Sequence, residues 1–116
     1  MALSDKIIAK VLNAINPDEL IKLTADLVRI NSVWDPAAGT GEQEVADFVA
    51  GWAGKQGFEV QKDEVAPGRP NVIVTWKPGP GERTLMFEGH TDVVTPGDLS
   101  VWQYDPFGAE IVNGRM

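Results

Sequence analysis

Cysteine is absent from the chain, and histidine occurs once. The first absence excludes disulfides, thiolate metal sites and cysteine nucleophiles. The second leaves a single imidazole available for acid–base or metal chemistry. Basic residues are few: ten Lys and Arg stand against seventeen Asp and Glu, a formal net charge of −7. Such a balance repels the phosphate backbone of nucleic acids and anionic membrane surfaces, and no long basic cluster offsets it. No apolar stretch approaches transmembrane length. Near the N-terminus Ile7-Ile8 and Val11-Leu12 are interrupted by Lys10, a helical pattern rather than a signal-peptide core. Neither a glycine-rich phosphate loop nor a serine nucleophile elbow occurs. A soluble cytoplasmic protein is the expectation, without nucleic-acid or membrane partners.

The 116 residues are enough for one modest domain, and 43% hydrophobic with 23% charged content fits a globular class rather than disorder. Ser4 is placed to cap a first helix bearing Ile7, Ile8, Val11, Leu12 and Ile15 on one face. Asn16, Pro17 and Glu19 form the start signal of a second helix, with Leu20, Leu23, Leu27 and Val28 as its stripe and an end near Ile30. Thr40 with Gln43 suggests a capping box. Val45, Phe48, Val49 and Trp52 then recur at core-facing helical spacing, Gly51 and Gly54 suggest close packing against a sheet, and Gly57 is the stop.

Phe58 to Gln61 alternates and predicts a half-exposed strand. Pro67-Gly68-Arg69-Pro70 predicts a turn, and Val72-Ile73-Val74 a more buried strand. After Pro78-Gly79-Pro80-Gly81, the near-continuous apolar run Thr84 to Phe87 predicts a strand buried on both faces. Ala109 to Met116 predicts a last strand. Trp102, Tyr104 and Phe107 either line a substrate mouth or plug the end of the sheet, and packing is favoured.

The chain is organised around Leu85-Met86-Phe87-Glu88-Gly89-His90-Thr91-Asp92-Val93-Val94. His90 and Asp92 sit at i and i+2, so in extended backbone both side chains share a face. One ring nitrogen can then bind a metal while the other donates its proton to an acceptor that fixes the tautomer. A lone histidine after a strand is also commonly a surface residue with no ligand. Glu88 alternates with His90 too, but solvation or pairing accounts for a negative residue there, and it is not taken as a ligand.

This stretch resembles the first metal-site motif of a metal-dependent amidohydrolase and peptidase family. The family includes acetylornithine deacetylase, succinyl-diaminopimelate desuccinylase, aminoacylase and the glutamate carboxypeptidases. Other segments agree in order: Leu27 to Val33, Gly41 to Phe48, Gly57 to Val60, Arg69 to Ile73, Trp102 with Asp105-Pro106-Phe107, and Ile111 to Met116. The resemblance implies an α/β fold, the N-terminal part of a three-layer αβα sandwich with a mixed sheet. Residues 1–116 would be the start of the metal-binding catalytic domain, with the lid and dimerisation domain outside them. It implies His90 as a ligand of one metal in a pair, and Asp92 as the catalytic-site carboxylate that orients it. The ions would be Zn2+, with Co2+ or Mn2+ as substitutes. The reaction would be attack of metal-activated water on an amide of an N-acyl amino acid or short peptide, a glutamate shuttling the proton.

The bridging aspartate, that glutamate and the remaining ligands match nothing in this sequence. The expectation is therefore a truncated, inactive piece of a parent that is itself a homodimer. The competing expectation is a small non-catalytic α/β binding module carrying a relic of the motif.

Overall fold

The computed structural model describes residues 4–81 and 83–116. They form an α/β arrangement of three helices and a two-stranded antiparallel sheet. Two compact units divide them: residues up to Arg29 with Tyr104–Met116, and Ile30–Gln103.

The first unit carries α1 (Asp5–Asn13) and α2 (Pro17–Val28). Ser4 precedes α1 in extended conformation, but its side chain makes no capping bond. The apolar face of α1 is on the surface: Ile7, Ile8, Val11 and Leu12 are all exposed, and no α1 residue is buried. α2 begins as the sequence predicts. Asn16 Oδ1 accepts from the backbone N–H groups of Asp18 (3.0 Å) and Glu19 (3.4 Å), and Pro17 occupies the first turn, where its missing N–H is no loss. The helix stops at Val28, two residues short of the expected end.

The predicted strand over Ala109 to Met116 is not formed. Asn113 and Gly114 take positive φ (52° and 76°), and Val112 and Arg115 exchange backbone hydrogen bonds of 2.8 and 3.1 Å across them. Two successive left-handed residues close a chain reversal that an extended strand cannot contain, and Asn-Gly is the dipeptide that tolerates it most readily.

The second unit is built on α3 (Glu42–Lys55) packed against a hairpin of β1 (Glu59–Ala66) and β2 (Arg69–Thr75). Val45, Ala46 and Ala53 form its buried helical face, with Phe48 and Val49 half-buried. Trp52, expected in the core, is 38% exposed. The helix is capped at Gly41 rather than Thr40, whose backbone is engaged in reciprocal hydrogen bonds with Asp35. A Cβ at Gly41 would lie 2.9 Å from the Trp34 ring, so a side chain there collides with the indole. Gly51 and Gly54 do not pack closely: a Cβ at either meets nothing within 4 Å. Gly57, at φ 84°, does end the helix.

The hairpin turns through Pro67-Gly68 alone, so Arg69 and Pro70 already belong to β2, and a bulge at Val65 breaks the register. β2 is not the buried strand its composition suggests. Ile73 is 47% and Val74 42% exposed: successive side chains point to opposite faces of the sheet, and α3 packs against it without covering both. α3 is tied to the hairpin by two ion pairs. Lys62 pairs with Asp47 on the surface. Arg69 donates from Nε to Glu42 Oε1 at 2.7 Å and reaches the same oxygen through its terminal nitrogen, while its guanidinium stacks 4.9 Å from the Trp34 ring centroid. Glu42 is buried and its Oε2 has no partner.

Thr84 to Phe87 is not a buried strand among the described residues. Leu85, Met86 and Phe87 are 78%, 78% and 88% exposed, and β2 pairs with β1 alone. A strand needs a neighbour to take its backbone N–H and C=O groups, and no described segment supplies one.

Candidate metal centre

The backbone from Thr84 to Val94 carries no regular secondary structure, yet it is anchored at its far end. Val33 forms a parallel bridge with Val93. Ser32, 3% exposed, donates its hydroxyl to the Thr91 carbonyl at 2.6 Å. Asn31 Oδ1 accepts from the Val33 N–H at 3.1 Å, shaping the loop that reaches across.

Between these anchors the side chains of His90 and Asp92 meet. His90 Nδ1 lies 3.0 Å from the Asp92 backbone oxygen and 3.2 Å from Asp92 Oδ1. A carbonyl and an ionised carboxylate only accept, so Nδ1 carries the proton and donates to both. In the neutral form of the ring, Nε2 is then the nitrogen without a proton. The pair is not packed into an interior: the side chains are 84% and 50% exposed. Imidazole with its second nitrogen fastened to an oxygen acceptor is the form that ligates a metal.

The carboxylates closest in sequence have other uses or stand exposed. Asp98 Oδ1 accepts from the Ser100 N–H at 2.9 Å and starts a 3-10 turn at Leu99–Val101; this bond to the Ser100 backbone holds its carboxyl below the ordinary value. Asp105 is used similarly, accepting from the Phe107 N–H at 2.9 Å. Glu88 and Glu110 are exposed. Among the described residues no group of three or more His, Cys, Asp or Glu side chains is placed to hold a metal. These residues offer a metal one bond, which does not fit a resident ion held by this chain alone, since a catalytic zinc takes three protein ligands.

The aromatic cluster divides between the two units. Trp102, 49% exposed, donates its indole N–H to the Pro96 carbonyl at 2.9 Å in one. Tyr104 (42% exposed) and half-buried Phe107 lie in the other. A cleft of about 390 Å³ is lined by Asn31, the Gly39–Gly41 turn and the first turns of α3; neither His90 nor Asp92 lines it. Sequence reasoning assigned no role to Ser32 or to the Glu42–Arg69 pair. Partners 59 and 27 residues apart leave no periodic signal.

Comparison with known proteins points to a class of amide hydrolases. Over 100 residues the chain is 40% identical to succinyl-diaminopimelate desuccinylase of Cereibacter sphaeroides, covering 86% of this chain and 25% of that protein. A succinyl-diaminopimelate desuccinylase of a Ruegeria species is 43% identical over 96 residues, 83% of this chain and 24% of the relative. That of Methylobacterium nodulans is 37% identical over 103 residues, 87% and 25% respectively. No family model and no solved structure matches the chain. Over most of its length the chain resembles the succinyl-diaminopimelate desuccinylases. It spans about a quarter of the length of the curated relatives it matches. No helix among the described residues is long and apolar enough to cross a membrane.

Proposed function

We propose that these residues form part of a metal-dependent hydrolase that cleaves the amide bond of N-acyl amino acids or short peptides. The relatives' names make an N-succinyl diamino acid the first substrate to test. The observation that carries the reading is the His90–Asp92 pair, in which Nδ1 lies 3.0 Å from the Asp92 carbonyl oxygen and 3.2 Å from its Oδ1. In this reading His90 is one ligand of one ion in a pair, Zn2+ or alternatively Co2+ or Mn2+. Asp92 orients the ring and raises its basicity. The ions, when bound, polarise the amide carbonyl and activate the attacking water. The lone imidazole here makes the rest of the ligand set, and the glutamate that moves the proton, the contribution of residues outside this chain. In the same reading the residues of this chain belong to the N-terminal part of a three-layer αβα sandwich. The whole protein would be a cytoplasmic homodimer.

A second reading, a non-catalytic α/β binding module, is favoured by one observation: no described cluster could hold an ion. Two measurements separate them. Under the first reading, the coding sequence continues past Met116 into a Gly-Arg-Gly segment and an aspartate. Its full-length product with Zn2+ hydrolyses N-succinyl-diaminopimelate, the 116-residue chain does not, and His90→Ala abolishes the full-length activity. A stop codon after Met116, or a full-length product whose hydrolysis survives His90→Ala, supports the module or removes His90 from the site.

A further inference from the structure

We infer that Ser32 is a positioning residue for His90, acting through the peptide group between Thr91 and Asp92. The imidazole contacts two oxygens of one residue, the Asp92 carbonyl at 3.0 Å and Oδ1 at 3.2 Å. Ring orientation therefore depends on how the Asp92 backbone is turned, not on its side-chain rotamer alone. The Thr91 carbonyl shares a rigid plane with the Asp92 N–H. Ser32 Oγ fixes that plane through its 2.6 Å bond to the Thr91 oxygen. On the other side of Asp92, the Val33–Val93 bridge fixes the chain again. Adjacent residues of one loop thus grip the backbone on both sides of the carboxylate.

The grip is itself well supported. Ser32 is 3% and Val33 9% exposed, whereas the His90 side chain is 84% exposed and has no packing to hold its ring. A buried hydroxyl requires a partner, and the Thr91 carbonyl is the one it has. Without this bond the Thr91–Asp92 peptide turns, the two acceptors on Asp92 no longer face Nδ1 together, and the ring exchanges freely between tautomers. For a histidine that ligates through Nε2, that exchange removes the lone pair from part of the population. The importance of Ser32 for catalysis rests on the function proposed above; its effect on the ring does not.

The single histidine makes the test direct, because its ring nitrogens give one unambiguous set of 15N resonances. In the 116-residue chain, at a pH where the ring is neutral, the Nδ1–H form should predominate. Ser32→Ala should shift the Nδ1–H to Nε2–H ratio by roughly two- to tenfold, the equilibrium equivalent of one hydrogen bond. Asn31→Ala disturbs the same loop without touching Thr91 and should leave the ratio unchanged. If Ser32→Ala loses the folded amide spectrum, Ser32→Cys fills the site with a far weaker donor and should move the ratio in the same direction.

An unchanged ratio in a folded Ser32 variant overturns the inference. So does an equal shift in Asn31→Ala, which would assign the effect to the loop rather than to the hydroxyl. Absence of amide hydrolysis by the full-length protein would overturn the proposed function while leaving the tautomer result standing.

Discussion

Removing the Arg69 guanidinium should destabilise the chain far more than removing the other cation that links α3 to the hairpin. Arg69 donates to Glu42 Oε1, and the Glu42 side chain is only 7% exposed with Oε2 already unpartnered. Arg69→Ala leaves a buried carboxylate with nothing to neutralise it, a change that costs about 3–5 kcal/mol when both partners are fully buried. The Arg69 side chain is 40% exposed, so water screens its side of the pair and the expected loss falls to about 2–3 kcal/mol. That figure includes the stack on Trp34, worth about 0.5–1 kcal/mol at an exposed site.

Lys62 and Asp47 make the same connection on the surface, with side chains 43% and 53% exposed. Lys62→Ala should therefore cost less than about 1 kcal/mol. Urea unfolding followed by circular dichroism gives both values, and a chain of this size converts the Arg69 loss into a melting shift of roughly 10 °C. Combining Arg69→Ala with Glu42→Leu separates charge from shape. With the carboxylate gone, loss of the guanidinium should cost about 1 kcal/mol or less. An Arg69→Ala variant no less stable than Lys62→Ala, or equal Arg69 losses in the two backgrounds, would refute the reasoning.

Three further outcomes follow from local structure. Asn16→Ala removes the acceptor for the first amides of α2 and should lower stability by about 1 kcal/mol, with faster hydrogen exchange at Asp18 and Glu19. Gly51→Ala should stabilise α3 by about 0.5–1 kcal/mol in urea unfolding and Gly54→Ala by less, being near the helix end, because neither new methyl meets a neighbour. The Lys62 bond to Asp47 and the Lys22 bond to Asp26 hold both carboxyls below their ordinary 3.8. The unfolded chain binds these protons more readily than the folded one. The pairs therefore add stability above pH 3.8 that is lost as pH falls through the lowered values, and melting curves across that interval should show a smaller loss in Lys62→Ala.

What could be read from the sequence was chemistry confined to a few consecutive residues. Asn16-Pro17 announces α2 because capping involves only its own first turn. Gly57 ends α3 for an equally local reason. The nearness of His90 and Asp92 was legible because they stand two residues apart; the contacts of Ser32 and Val33 that hold Asp92 in place were not. Thr84 to Phe87 failed as a strand because a ladder is made by two segments, and apolar content specifies only one. Trp52 and Val74 have core-like spacing but limited surfaces to bury against. The Asn113-Gly114 reversal was legible and overlooked: an Asn-Gly pair signals a tight turn more strongly than the flanking apolar residues signal a strand. Ser32 and the Glu42–Arg69 pair had no such signal, since folding alone brings their partners near.

Trp34 occupies the space that Gly41 leaves open, against the guanidinium paired with Glu42. A methyl group at Gly41 would displace the indole. Arg69 would then lose its aromatic support, and the buried carboxylate would lose the fixed geometry of the guanidinium that pairs with it. Three side chains from three separate stretches thus answer to the smallest residue at the threshold of a helix, and damage there would spread as far as β2 without touching it.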